Sequence, residues 1–225
     1  MPEPDGRSRD NELHWRVAAA ERLRRLGHAL VAHSPPPAVL GRLVDAVDRL
    51  LPEVTAAPVR SDPFDFVSRK DLPGGDRSDV RPSGPDTTLF PYSVVSGSAN
   101  PMSMGAVYSL DGNRVLARVV LGPAFEGAPG RAHGGILAAV MDETMGAVLP
   151  QAGTPAYTGT LNIRYLAPAP IGEELVFRAW IHQRSGRKLT IHAFGQHQDT
   201  KFAEAEAVFI AVADYLKRAP PESPD

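Results

Sequence analysis

One stretch of this chain constrains its fold more than any other. Residues 133–149 carry Ile136, Leu137, Ala138, Ala139, Val140, Met141, Met145, Ala147, Val148 and Leu149, and read as a helix that is apolar nearly all round. A helix without a polar stripe has to be buried on most of its sides. The sequence on either side of it is β-like. Upstream, residues 105–110 and 114–121 flank Asp111-Gly112-Asn113, whose Asp-Gly step suits the positive φ of a hairpin turn. Downstream come four strand-like runs, 157–166, 174–184, 188–198 and 203–214, joined by short links that favour antiparallel neighbours. In the last run Ala203, Ala205, Ala207, Phe209 and Ala211 alternate with Glu204, Glu206, Val208 and Ile210, so one face is mostly small and lets a helix lie close. The pattern asks for an α+β domain: one central helix wrapped by a curved antiparallel sheet.

Two further helices precede this domain. From 11 to about 32, Leu13, Val17, Ala20, Leu23, Leu26 and Leu30 recur at helical spacing, until Pro35-Pro36-Pro37 ends the run. A second amphipathic stretch, 38–54, places Leu40, Leu43, Val44, Val47, Leu50 and Leu51 on one stripe. The pair is expected to form a helical hairpin whose apolar stripe is covered by the main domain or by a partner subunit. Prolines scattered through 56–101 exclude long elements there. Phe64, Phe66, Phe90 and Tyr92 point to an extended strap laid over the domain. The expected organisation is a helical N-terminal extension over 1–55 (its first ten residues disordered), a strap over 56–101, the helix-and-sheet domain over 102–214 and a disordered tail over 215–225.

Composition narrows the chemistry. Of 225 residues none is cysteine, which removes disulfides, thiolate metal sites and a cysteine nucleophile, and fits a reducing cytoplasm. The net charge of −2 gives no global attraction to nucleic acid or an anionic membrane, so any anion must be captured locally. The polar N-terminus has no signal-peptide core, and no apolar run reaches the ~20 residues of a membrane span. A cytoplasmic chain is expected, with neither nucleic acid nor membrane as partner. His182, His192 and His197 have no cysteine or carboxylate at ligand spacing and read as strand-face residues, with no metal.

Within the apolar helix sit Asp142 and Glu143. A charged carboxylate among apolar neighbours costs several kcal/mol unless it is paired or its pKa rises, and a carboxylate so placed is how general bases are made. His133-Gly134-Gly135 opens the helix, where backbone N–H groups lack intrahelical partners and the dipole favours negative charge. Glycines there let a ligand approach the backbone, and a developing oxyanion would be stabilised. From His133 to Asp142 is nine residues, about 13.5 Å of rise and a half-integral number of turns. One helix cannot bring both ends of that motif to one atom. Two antiparallel copies across a two-fold axis can.

Residues 126–143, Glu-Gly-Ala-Pro-Gly-Arg-Ala-His-Gly-Gly-Ile-Leu-Ala-Ala-Val-Met-Asp-Glu, resemble the phenylacetate-degradation (PaaI-type) hotdog thioesterases, in which a glycine- and proline-rich loop ending in His-Gly-Gly is followed by a carboxylate nine residues after the histidine. Residues 158–170, with Thr158, Leu161, Ile163, Tyr165, Pro168 and Pro170, are similar to that family's strand after the helix, and Ser185-Gly186-Arg187-Lys188 to its basic hairpin. The resemblance covers roughly residues 102–214. It implies a hotdog fold, acyl-CoA thioester hydrolysis without cofactor or metal, and a homodimer or dimer of dimers (a homotetramer). It also implies roles: Asp142 as general base or nucleophile, Gly134 N–H of a neighbouring subunit on the thioester carbonyl, Thr158 holding water or the carboxylate, and His133 orienting the loop or touching the thioester. Gly135, Glu143, Arg187 and Lys188 are the expected substrate contacts, the basic pair reading either as a phosphate contact or as a solvated turn. The competing reading is a non-catalytic acyl-CoA-binding or regulatory module of the same fold.

Overall fold

The computed structural model describes residues 6–59, 91–152 and 156–211. Its elements are α1 (Gly6–Ala32), α2 (Pro37–Ala56), β1 (Val107–Asp111), β2 (Arg114–Val120), α3 (Gly134–Gly146), β3 (Ala156–Tyr165), β4 (Glu174–Ser185), β5 (Lys188–His197) and β6 (Thr200–Ala211). The strands form one six-stranded antiparallel sheet in the order β1-β2-β4-β5-β6-β3. The expected hairpin, central helix and four following strands all form.

The buried set explains why α3 is central. Leu137, Val140, Met141, Thr144 and Met145 are buried, and α3 packs against β2, β3, β4 and β5. Along β6, Ala203, Ala205, Ala207, Phe209 and Ala211 face inward as the alternation predicts. Beneath the helix Phe177 and Phe202 meet edge to face, 5.4 Å apart. Gly195 makes room for them, because a Cβ there would lie 2.4 Å from the Phe202 ring. In β3 the register shifts between Thr158 and Thr160. That bulge re-phases the strand so that Thr158, paired with Phe209, and Leu161, paired with Ala207, both sit over the helix side.

The N-terminal region departs from expectation. Residues 6–10, read as disordered, already belong to α1. α1 lies on the 3-10 turn Pro123–Phe125, where Ala124 N–H donates to His28 Nδ1 at 3.1 Å and the His28 and Phe125 rings meet edge to face. Arg24 Nη1 donates to the carbonyls of Asn100 (2.6 Å) and Ser98 (3.2 Å). No hairpin forms, however. α2 has no buried residue and packs along neither α1 nor the sheet. The link 33–36 leaves α1 through Pro35 and Pro36, which favour extended backbone, and Pro36 is extended at φ −60°, ψ 150°. Within the expected strap, 91–101 is a run of turns that buries Val95, Ser96 and Ala99. Phe64, Phe66 and Phe90 lie outside the described residues, as does 215–225. No described helix is long and apolar enough to cross a membrane.

Candidate active site

The loop ahead of α3 is fixed by its own backbone. Gly127 N–H donates to Arg131 O (2.8 Å), Arg131 N–H to Ala128 O (2.9 Å), His133 N–H to Phe125 O (2.9 Å) and Ala132 N–H to Ala169 O (2.9 Å). The Glu126 carboxylate also accepts the Gly130 N–H. The loop closes so tightly on the helix start that a Cβ on Gly127 would lie 2.9 Å from His133 Cα. This is why the loop is glycine-rich: it delivers His133 to the N-cap position of α3.

At that N-cap the first amides are assigned one by one. His133 Nδ1 accepts the Gly135 N–H at 3.0 Å, and His133 O accepts those of Ile136 (3.0 Å) and Leu137 (3.1 Å). Among the described residues no group takes the Gly134 N–H. It is left at the positive end of the helix for an outside acceptor. Tyr165 Oη donates to Gly134 O at 2.7 Å, pinning the same peptide corner from β3. His133 thus closes the loop and caps the helix, and the Gly135 N–H is already occupied.

Two turns further on, Asp142 is half-buried and its Oδ1 accepts from Thr158 Oγ1 at 2.9 Å. The structure thus joins two residues that sequence reading singled out sixteen positions apart. Asp142 shares its side of α3 with Gly135, Ala138, Ala139 and Gly146, small residues that leave this face partly open. Glu143, expected as a substrate contact, is half-buried and turned away from Asp142, because neighbouring helix residues point ~100° apart. Its carboxylate accepts from Tyr108 Oη (3.2 Å) on β1 and from Ser93 Oγ. Tyr108 is fully buried, and that burial first, then the Glu143 charge, raises its pKa well above the ordinary value. α3 is thus clamped to both sheet edges, through Asp142 to β3 and through Glu143 to β1.

Arg187 and Lys188 lie at the β4–β5 turn and are exposed. The Arg187 guanidinium is partly committed, its Nε donating to Ala211 O at 3.0 Å. Lys188 pairs with Ile210, which in turn pairs with Tyr157, so the turn lies two strands, roughly 10 Å, from the end of β3 that carries Thr158. Lys188 alternates with the inward Leu189 and so stands on the outer face. The histidines do have carboxylate partners, invisible in linear spacing: His192 meets Glu206 across strands at 3.1 Å and His197 meets Glu173 at 2.7 Å, while His182 stacks on His192. Sequence reading gave Tyr165 no role and did not single out Tyr108 or Ser93. Tyr165 had a usable signal, its inward phase seven residues after Thr158 once the bulge is counted. Ser93, in an irregular segment, had none.

Comparison with known proteins supplies the frame for this geometry. Residues 129–203 match the thioesterase superfamily. Acyl-coenzyme A thioesterase THEM5 of Mus musculus is 38% identical over 91 residues, 40% of this chain and 37% of that protein. Acyl-coenzyme A thioesterase THEM4 of Mus musculus is 34% identical over 113 residues, 48% and 49% of the two chains. The chain thus spans at most about half the length of these relatives. A crystal structure of a thioesterase superfamily protein superposes with a TM-score of 0.71 at 23% identity, over 87% of this chain and 90% of that one, so it shares the fold.

Proposed function

We propose that this chain, which belongs to the hotdog thioesterases through its domain at residues 129–203, hydrolyses acyl-CoA-type thioesters to the free acid and the thiol. The observation that carries the proposal is the Thr158–Asp142 hydrogen bond on the open side of α3, in a domain whose helix start holds an uncommitted amide. A module that only bound its ligand would gain nothing from a carboxylate held among apolar neighbours, since an unused charge there costs free energy. The names of the two mouse relatives, both acyl-coenzyme A thioesterases, support the same substrate class.

The chemistry follows from the geometry. Asp142, oriented by the Thr158 hydroxyl, takes a proton from water as the water oxygen adds to the thioester carbonyl, or adds to that carbonyl itself. The carbonyl oxygen gains negative charge and is stabilised by an N–H at a helix start. On the water route the tetrahedral carbon then expels the thiolate, which takes up the proton held by Asp142; on the direct route it expels the thiolate to leave an acyl–Asp142 anhydride, which water hydrolyses to the acid and the free carboxylate, releasing a proton that the thiolate takes up. Hydrolysis in heavy-oxygen water under single-turnover conditions tests the direct route: label appearing in Asp142 requires an anhydride opened at the Asp142 carbonyl, since direct water attack leaves none there.

The amide and the carboxylate come from different copies in this reading. Gly134 and Asp142 are eight residues apart, about 12 Å of rise along α3. Tyr165 marks the first and Thr158 the second, at opposite ends of β3. β3 is an edge strand, and an antiparallel pair of β3 strands centred between Leu161 and Asn162 would set Thr158 of one copy beside Tyr165 of the other. The active unit is then a homodimer, or a dimer of such dimers.

The test is a thioesterase assay of the full chain across short, long and aryl acyl-CoAs, with Asp142→Asn beside it. Asp142→Asn, isosteric and still able to accept from Thr158, should lower kcat by about 100–10,000-fold with an unchanged circular dichroism spectrum. Undiminished turnover by folded Asp142→Asn, or no hydrolysis of any thioester by the wild type, would sink the reading.

A further inference from the structure

Helix α2 carries a surface that nothing among the described residues uses. Over residues 40–54 its apolar positions follow a heptad: Leu40, Val47 and Val54 at one position, Leu43 and Leu50 at the other, with Val44 and Leu51 beside them. Sustained 3-4 spacing of this kind is the seam of a helix that packs along another helix. Yet no residue of α2 is buried, and Val47, Leu50 and Val54 are 48%, 58% and 70% exposed. The helix is also a poor candidate for standing alone. It contains Gly41, several β-branched valines and Pro52 inside the helix, and isolated helices gain most of their stability from packing.

We propose that the α2 stripe is a second self-association surface, on which α2 of one copy packs lengthwise against α2 of another. Three observations favour a second copy of this chain over another cover. The stripe is regular along its length, which suits a straight partner of the same pitch and not an irregular segment. Its exposed apolar residues present roughly 600 Å² per chain, at the top of the range a monomer ordinarily shows as one patch and approaching the ~800 Å² per partner of a standard interface. The charged side chains Arg42, Asp45, Asp48, Arg49 and Glu53 all lie off the stripe, so no like charges oppose one another when two stripes meet. Pro52 is likewise on the outer face, where the missing N–H harms no contact. The stripe has its midpoint at Val47. A two-fold axis therefore sets Val47 against Val47 of the second copy whether the helices run parallel or antiparallel. The surface is independent of β3 and of the catalytic reading, so it can tie two copies already joined at β3 or join one such pair to another.

The chain has no cysteine, which makes the test direct. In the full chain, Val47→Cys should oxidise to a disulfide-linked dimer as its main product, because the two Cα atoms of such a pair fall within the ~4.4–6.8 Å a disulfide spans. Asp45→Cys, on the outer face, should link at most in trace. Val47→Asp should either halve the mass seen by light scattering or, where β3 still joins the copies, speed hydrogen exchange of the α2 amides at least tenfold. Val47→Cys that stays reduced, or links no better than Asp45→Cys, overturns the proposal. So does wild-type protection of α2 that survives in Val47→Asp, which would assign the cover to residues 60–90 of the same chain or to a different protein. Loss of thioesterase activity with cross-linking intact would leave the inference standing and count against the proposed function alone.

Discussion

The central helix and the N-terminal helices differ in how far their apolar residues reach round the helix, and they meet opposite fates. α3 is apolar nearly all round and is enclosed by four strands, so its two carboxylates are each held by named partners at fixed distances. α1 and α2 are apolar on one side only. α1 finds a seat on the domain through His28 and Arg24, whereas α2 finds none among the described residues. What decides the difference is where the polar groups sit. A helix with no polar face is forced inside, and the few polar groups it carries become expensive and hence precisely partnered. A helix with a polar face can stay at the surface, and its partners are then optional or intermolecular.

The contrast can be broken most severely in the core. Phe177→Ala, which removes one ring of the edge-to-face pair under α3, should cost about 3–5 kcal/mol of unfolding free energy. Leu23→Ala on α1, where the side chain is half exposed, should change it by less than about 0.5 kcal/mol. Denaturant titration of the two variants side by side checks both. Comparable losses would show that the extension is as tightly packed as the domain, and would undo the distinction.

Thr158→Ala comes next. It leaves Asp142 without its donor, and hydrogen bonds to charged groups contribute about 1.5–3 kcal/mol, so kcat should fall roughly 10–100-fold at little cost in stability. Thr158→Ser, which keeps the hydroxyl, should recover most of it. If Thr158→Ser were as slow as Thr158→Ala, the methyl packing and not the hydrogen bond would be what matters.

How much of this was legible in the sequence depended on whether the relevant order was local. The hairpin at Asp111-Gly112, the period-2 face of Ala203–Ala211 and the unbroken apolar run of α3 are all short-range patterns, and each element formed where it was read. The Asp142–Thr158 pair was found only because a family resemblance ties together two motifs sixteen residues apart. Nothing local says that they touch. Glu143 shows the converse. Its partners Tyr108 and Ser93 lie 35 and 50 residues upstream, so an acid beside a catalytic candidate looked like part of the same site. The helical hairpin failed because the spacing of Leu13–Leu30 and Leu40–Leu51 fixes which faces are apolar but not what lies against them. The intervening prolines, read only as a helix stop, also favour an extended link.

A smaller effect is expected at the β4–β5 turn, where the two basic residues now separate. Arg187→Ala loses a bond to the Ala211 carbonyl and should lower stability by about 1 kcal/mol with little change in KM. Lys188→Ala should raise KM for CoA thioesters a few-fold and leave a short N-acetylcysteamine thioester unaffected, because only the nucleotide carries phosphates for it to meet. The Lys188 effect should shrink as salt is added. Equal changes on both substrates would return Lys188 to the status of a solvated turn residue.

The smallest effect concerns the seat of α1. His28 Nδ1 accepts the Ala124 N–H, which requires a lone pair on that nitrogen, and partial burial holds the His28 pKa below its ordinary value of 6.5. A group whose pKa is depressed on folding contributes stability that is present above its unfolded value and lost as the pH falls through its folded one. The attachment of α1 should therefore be intact at pH 7.5 and loosen progressively below about 6.5. The sheet, held by contacts that do not involve His28, should keep its protection over the same range. Hydrogen exchange read at matched intrinsic rates should show α1 amides gaining in exchange between pH 7 and 5 while β4 and β5 amides do not. His28→Asn, whose Oδ1 can take the same N–H and does not titrate, should flatten that dependence. If α1 in His28→Asn loosened over the same range, another group would be responsible and His28 would be a packing contact only.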